Sequence, residues 1–149
     1  NRYYKYQAGK SQLIEITAAV GDTGKADVNR IWGYGDDNDG VFFMSEGTTF
    51  KVLVRNSSTG SLVETKVNQA DWNGDVLDGS HSTANLSGFA LYISKDNIYW
   101  IDFQWLGAGR VRFGVVIDGR RIVCHSDNNA NKNILPYMRT NTLPLYVEQ

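Results

Sequence analysis

Apolar residues along this 149-residue chain occur in short runs of β-branched and aromatic side chains, separated by clusters rich in Gly, Asn and Asp. From Phe50 to Arg55 every second residue is apolar, which is the period of a strand with one buried face. Short runs at spacings of about 8–12 residues are typical of a β-sandwich or barrel. The predicted strands are residues 3–6, 11–20, 28–34, 41–44, 50–55, 62–67, 89–93, 98–105, 111–117, 122–125 and 143–147.

The turn signals complete the prediction of the fold. Asp118-Gly119 lies between two apolar runs and favours a two-residue type I′ hairpin turn, because both central positions of that turn need a positive φ. No long segment has the 3.6-residue period of a helix, and only a single helical turn is predicted, at residues 69–72. We therefore predict an all-β, jelly-roll-like antiparallel β-sandwich of about ten strands. We expect residues 1–149 to form one domain of a longer chain.

Composition and charge restrict the class of partner. The chain is 42% hydrophobic and has a net charge of −1, without the clustered Lys and Arg that a duplex-binding surface needs. Nucleic acid is therefore not expected as a partner, and no apolar run is long enough for membrane insertion. The one cysteine, Cys124, has no second cysteine to pair with and is expected to pack as a small apolar residue. No cofactor is indicated.

An acidic loop between two predicted strands is the one candidate for a metal site. Asp37 and Asp39, in the segment Asp36-Asp37-Asn38-Asp39, have the alternate spacing of calcium ligands. The flanking strands do not fit a helix–loop–helix calcium site, so a polar turn is favoured. A calcium site of another type stays open as an alternative.

Two loops are candidates for ligand contact. The first contains Trp72, Asp75 and Asp78, where a tryptophan beside carboxylates could contact a sugar, although ordinary turns and a Trp72 that covers the edge of the core are favoured. The second contains the amide-rich tract with Asn128, Asn129 and Asn131, which could instead be a solvated loop. Both loops are expected to face outward. No nucleophile has a base within reach, since Cys124 and His125 alternate on a strand, so we expect no enzyme activity.

The second half of the chain carries a family resemblance. The run from Tyr99 to Gly119, Tyr-Trp-Ile-Asp-Phe-Gln-Trp-Leu-Gly-Ala-Gly-Arg-Val-Arg-Phe-Gly-Val-Val-Ile-Asp-Gly, resembles a segment of structural proteins of tailed bacteriophages and large DNA viruses. The likeness covers roughly Ala70 to Val147, and includes the Cys124-His125 pair and the closing Leu-Pro-Leu. It implies a β-rich module of a tail, baseplate or surface protein, located in the virion, with no catalytic residues.

Independently of that resemblance, the Tyr99 to Trp105 pattern predicts a strand buried on both faces, with Trp100 opposite the Tyr99, Ile101, Phe103 and Trp105 side chains. Asp102 and Gln104 are expected to bond neighbouring strands or a second subunit.

The leading hypothesis is a non-enzymatic virion assembly module that contacts other virion subunits, or presents a surface for a host receptor or glycan. A homo-oligomer is expected, with a trimer favoured. The alternative is a carbohydrate-binding, lectin-like module of a secreted or cell-surface protein. The alternative requires an exposed Trp or Tyr beside amide and carboxylate groups in one concavity, whereas buried aromatics and exposed apolar surface favour assembly.

Overall fold

The computed structural model describes residues 2–7, 9–104 and 109–149, and within them ten β-strands form two antiparallel sheets. The strands are β1 (Tyr3–Tyr4), β2 (Ser11–Ala18), β3 (Asn29–Gly35), β4 (Gly40–Glu46), β5 (Thr49–Asn56), β6 (Val63–Asn68), β7 (Asn97–Gln104), β8 (Arg110–Ile117), β9 (Arg120–Asn128) and β10 (Leu143–Glu148). One sheet has the order β1-β10-β3-β4-β5-β6 and the other has the order β2-β7-β8-β9. The predicted antiparallel β-sandwich of about ten strands is confirmed. The predicted positions of Trp105 and the end of its strand lie outside the described residues.

The core lies between the two sheets and is dominated by aromatic rings. Trp32 stacks on Phe50 with ring centroids 5.7 Å apart, and it meets Tyr99 of the facing sheet edge-on at 5.2 Å. Phe43 lies 4.9 Å from Tyr99 and 5.7 Å from Phe113. Each such pair contributes about 0.5–1.5 kcal/mol beyond the apolar area that it buries. This aromatic cluster therefore holds the two sheets together.

The outer face of the six-stranded sheet carries a second, smaller apolar cluster. The Phe42 ring lies against the backbone at Gly33, where a Cβ would have no room. The Arg55 guanidinium covers the same ring, 5.3 Å from its centroid, in cation–π geometry. The cluster consists of Ile31, Phe42, Met44 and Leu53, with Tyr146 packed against it. The central strands of this sheet are therefore buried on both faces.

Trp100 seals the outer face of the four-stranded sheet in a similar way. Its indole lies over Gly114 and donates from Nε1 to the Val115 carbonyl oxygen at 3.1 Å. Arg112 pairs with Asp102 on the neighbouring strand, and its guanidinium lies 5.9 Å from the Trp100 ring centroid. Tyr99 is 1% exposed and Trp100 is 3% exposed, which confirms that β7 is buried on both faces.

The predicted strand at residues 89–93 is wrong. Only Ala90 makes an isolated bridge, with Asp78, while Ile93 accepts a hydrogen bond from the backbone N–H of Val20. The segment is divided between two partners that are far apart in sequence. No continuous ladder can form along it, because a ladder needs one partner strand over several residues.

The local turn predictions are confirmed. Asp118 and Gly119 have φ values of 49° and 72° and connect β8 to β9. Residues Gln69–Asp71 form a single 3-10 turn directly after β6. Within the described residues no helix is long and apolar enough to cross a membrane.

The hydroxyl of Tyr34 ties β3 to the start of β10. The side chain is 1% exposed; its hydroxyl donates to the Asn141 carbonyl oxygen at 2.8 Å and accepts from the Leu143 backbone N–H at 3.0 Å. The Tyr4 carbonyl oxygen lies 3.3 Å from the same hydroxyl. Burial raises the pKa of Tyr34, so the neutral hydroxyl persists and can both donate and accept.

We expect Tyr34→Phe to lower the free energy of unfolding by about 1–3 kcal/mol, because buried backbone groups lose their partner. Tyr99→Phe is the matched control: its ring is equally buried, but the contact of its hydroxyl with Asn97 Nδ2 is long, at 3.5 Å. Urea denaturation of both variants measures the difference. Equal losses in the two variants would show that the Tyr34 hydroxyl does not hold β10 in place.

Candidate functional site

Trp72 does not face outward. Its side chain is 5% exposed and meets Phe50 edge-on, with ring centroids 5.6 Å apart. The indole Nε1 donates to the Val67 carbonyl oxygen at 3.3 Å. The segment after β6 therefore folds back over the sandwich, and Trp72 covers the edge of the core. Trp72 is not placed to stack on a ligand.

The two acidic candidates of the same segment shape its backbone. Asp75 is 7% exposed, and its two carboxylate oxygens accept from the backbone N–H groups of Leu77 and Ser87 at 3.0 and 2.8 Å. Asp78 is exposed, and hydrogen bonds from Ser80 hold its pKa below the ordinary value for aspartate. Of the two carboxylates, only that of Asp78 is open to solvent.

The predicted amide loop begins at the end of β9. Asn129 is 4% exposed; it donates from Nδ2 to the Leu135 carbonyl oxygen at 3.1 Å, and its Oδ1 accepts from Asn133 at 2.6 Å. Asn128 and Asn131 are exposed, and Asn131 has a φ of 60°. Asn129 therefore closes the loop on itself, whereas Asn128 and Asn131 present their amides to solvent. The expectation that the whole loop faces outward is wrong for Asn129.

Asp39, one of the two metal candidates, is fully buried. One oxygen accepts from the backbone N–H groups of Ser57 and Arg139 at 3.2 and 2.7 Å, and the other accepts from the Ser57 hydroxyl at 2.5 Å. Asp37 is exposed and accepts from the Tyr146 hydroxyl at 2.8 Å. In the described part of the chain no group of three His, Cys, Asp or Glu side chains could hold a metal ion. Asp39 instead fastens two distant segments to the β3–β4 turn.

A short extended segment covers the edge of β9. The Asn73 side chain exchanges two hydrogen bonds of 2.8 Å with the backbone of Ser126, and the Gly74 N–H donates to the Cys124 carbonyl oxygen at 2.9 Å. Natural β-proteins protect sheet edges from further pairing in this manner. The first predicted loop thus contacts β9, and this contact seals a sheet edge.

Cys124 and His125 are both buried because β9 contains an irregularity. The register shifts so that Val123 pairs with Gly114 and His125 pairs with Phe113, which leaves Cys124 as the extra residue. The strict alternation expected for this pair is therefore interrupted. Burial raises the pKa of the Cys124 thiol and lowers the pKa of the His125 imidazole, as expected for groups that are neutral in an apolar setting.

A groove along β2 was not predicted from the sequence. Two adjoining cavities of about 250 and 290 Å³ lie between this strand and β10. Leu145 and Val147 of β10 have the same orientation as the core residues Tyr34 and Trp32, their partners on β3, yet they are 47% and 78% exposed. Leu13 of β2, 48% exposed, also lines the groove. We call this feature the β2 groove.

The signal that could have found the β2 groove is the apolar alternation of residues 143–147. That pattern shows that one face of the strand is suited to burial. It does not show whether a second sheet reaches far enough to cover the face, because strand order is not a local property.

A second concavity, of about 640 Å³, lies where β5 and β6 meet the segment after Trp72. The exposed ring of Tyr92 lines it, and the Lys95 ammonium lies 4.6 Å from the centre of that ring. Asn68, Gln69 and Asp78 contribute amide and carboxylate groups to the same lining. We call this feature the Tyr92 groove. It holds one of the predicted ligand residues, Asp78, beside an aromatic side chain that the sequence did not single out.

Comparison of the chain with family models, curated proteins and solved structures finds no match.

We expect Asp39→Asn to lower the free energy of unfolding by about 1.5–3 kcal/mol, because an amide loses charge-assisted bonds and turns an N–H₂ toward donors. Asp37→Asn is the control, since this exposed carboxylate has a surface contact and its loss should cost less than about 1 kcal/mol. Thermal and urea unfolding of the two variants test the contrast. A small loss for both would mean that the Asp39 carboxylate does not fasten its neighbouring segments.

Stability is expected to fall as the pH drops below about 6.5, the ordinary pKa of histidine. Above that pH His125 is neutral in both states; below it the unfolded chain binds a proton more readily than the buried imidazole, which favours unfolding. His125→Gln should reduce this dependence. The urea denaturation midpoints of this variant and of the parent, taken from about pH 7.5 to about pH 5 so that they bracket that pKa, measure the difference. His81→Gln, at an exposed position, is the control and should leave the dependence unchanged. An unchanged dependence in His125→Gln would contradict the assignment.

Proposed function

We propose that the chain is a non-enzymatic structural module of a virion, which assembles with other virion subunits. The resemblance of the stretch from Ala70 to Val147 to tail, baseplate and surface proteins suggests this class. The observation that carries the proposal is the apolar surface of the β2 groove. Val147 and Leu145 are exposed although they continue the core face of the six-stranded sheet. Exposed contiguous apolar surface of this kind is typical of interaction sites.

The burial of the candidate ligand residues supports assembly over ligand binding. Trp72, Asp75 and Asn129 each use their polar atoms within the fold. Exposure of Trp72 would have favoured the lectin-like alternative, and this side chain is buried. Leu13 of β2 and Leu145 and Val147 of β10 are exposed apolar side chains beside an open sheet edge. Such edges suit contact with another polypeptide more than contact with a sugar ring.

A surface for a host receptor or glycan is the second candidate, and the Tyr92 groove favours it. An exposed aromatic ring beside Asp78, Asn68 and Gln69 has the group types that orient a sugar. The Lys95 ammonium over the ring occupies one of its faces. A glycan would therefore contact the edge or the opposite face of Tyr92, with Asp78 as an acceptor for its hydroxyl groups.

The assembly function predicts a homo-oligomer, with a trimer favoured, whose mass persists on dilution. Light scattering on a sizing column across a dilution series measures it. A monomer at every concentration would contradict the homo-oligomer and make a glycan array the deciding experiment. A glycan bound by the protein but not by Tyr92→Ala would then replace assembly with the receptor-binding function, since Tyr92 is exposed and its truncation leaves the core intact.

A further inference from the structure

The β2 groove is bounded by an open strand edge. Among the described residues β2 pairs with β7 on one side only, so the backbone groups of its other side face the groove. Across the sandwich, β2 contacts β3, and β10 is the next strand beyond β3. The six-stranded sheet therefore extends past β2 by the width of one strand, about 4.8 Å, along most of the groove. An added strand beside β2 would lie directly over Leu145 and Val147.

Two buried polar atoms along the same groove lack partners within the described residues. They are Nε1 of Trp32 and Oε1 of Gln12. Trp32 is 4% exposed and lines the cavity beside Val147, while Gln12 lines the cavity beside Leu145. An unpaired buried donor or acceptor costs about 1–3 kcal/mol, and both residues line the groove that an added strand would close.

We infer that the β2 groove binds a single extended strand of a partner subunit, which pairs with β2 and covers the exposed face of β10. The identity of the partner as a virion subunit rests on the proposed function. Addition of one strand to an open sheet edge is a recurrent mode of peptide recognition. The eight residues of β2 set the length of the partner segment that can pair.

A second folded copy of this chain does not fit the groove through β2. In such a pair the copy's β2 would lie opposite β10, the position that an added strand takes. In the second copy, β3 packs against β2 from the side of the six-stranded sheet. The β3 of the second copy and the β10 of the first copy would therefore occupy the same space. An extended segment has no second sheet attached to it and avoids that conflict.

The lining of the groove defines the chemistry of the segment. Its inward side chains would meet Leu145, Val147 and Ile14, so alternate positions must be apolar. The lining contains charges of both signs: Glu15 pairs with Arg121, Glu148 lies 4.0 Å from Arg55, and Arg30 pairs with Asp22. The segment is therefore apolar at every second position.

The probe is a synthetic eight-residue peptide in which valine alternates with threonine and lysine stands at each end. It is titrated into ¹⁵N-labelled protein, and the indole N–H signals of the four tryptophans are followed by NMR. The Trp32 signal, assigned with Trp32→Phe, should shift saturably because the peptide closes the cavity that Trp32 lines. The Trp100 signal should stay in place, because that indole already donates to Val115 on the outer face.

The double variant Leu145→Lys, Val147→Lys places charges in the groove at positions that are already exposed, and should weaken peptide binding by at least about ten-fold. Val63→Lys is the matched control: it lies on β6, the outer strand at the other end of the sheet, is 49% exposed, and should leave the affinity unchanged. A missing Trp32 shift, or equal affinities of the double variant and the parent, would overturn the inference. A shift of the Trp32 signal when only the protein concentration is raised, together with a doubled mass, would also overturn the inference. That result would make a second copy of the chain the occupant of the groove.

The two proposals fail in different ways. A protein that stays monomeric at every concentration, yet binds the peptide with a Trp32 shift, keeps the strand-binding groove and counts against homo-oligomeric assembly. A stable trimer without any Trp32 response keeps assembly and loses the groove.

Discussion

The unequal width of the two sheets governs most of this structure. A six-stranded sheet packed on a four-stranded one cannot be covered along its whole inner face. Around Trp32, Phe43 and Tyr99 the coverage is complete and the aromatic rings interlock across the sandwich. At β10 the facing sheet has ended, so side chains that continue the core face meet solvent. The β2 groove is the direct consequence of this missing strand.

The outer faces of both sheets are covered in the same way. A large ring, Phe42 on one sheet and Trp100 on the other, lies flat where a glycine leaves room, and an arginine covers it. Arginine suits this position because its guanidinium stacks on the ring while its charge is paired with a neighbouring carboxylate. Faces sealed in this way offer little apolar area to a partner. The groove at the strand edge is thereby distinguished from the rest of the sheet surface.

Several residues with the chemistry of a binding site instead hold the connections between strands. Asp39 binds segments 18 and 100 residues away in sequence, and Asp75 binds the backbone of its own loop. A buried carboxylate is stable when backbone N–H groups satisfy its oxygens, and it then organises the chain that supplies them. Carboxylates and amides in loops are therefore ambiguous in a sequence. Their burial decides whether they bind a ligand or the protein itself.

The sequence by itself determined ten of the eleven predicted strands, the Asp118-Gly119 hairpin, the turn after β6 and the burial of β7 on both faces. These features follow from side-chain period and from backbone φ preferences, which act over a few neighbouring residues. Tertiary structure alone decided that Asn129 is buried, that residues 89–93 do not form a strand, and that β10 lies beyond the edge of the facing sheet. Those outcomes depend on which distant segments become neighbours. Local periodicity carries no information about that choice, because the same alternating strand can be central, edge or uncovered.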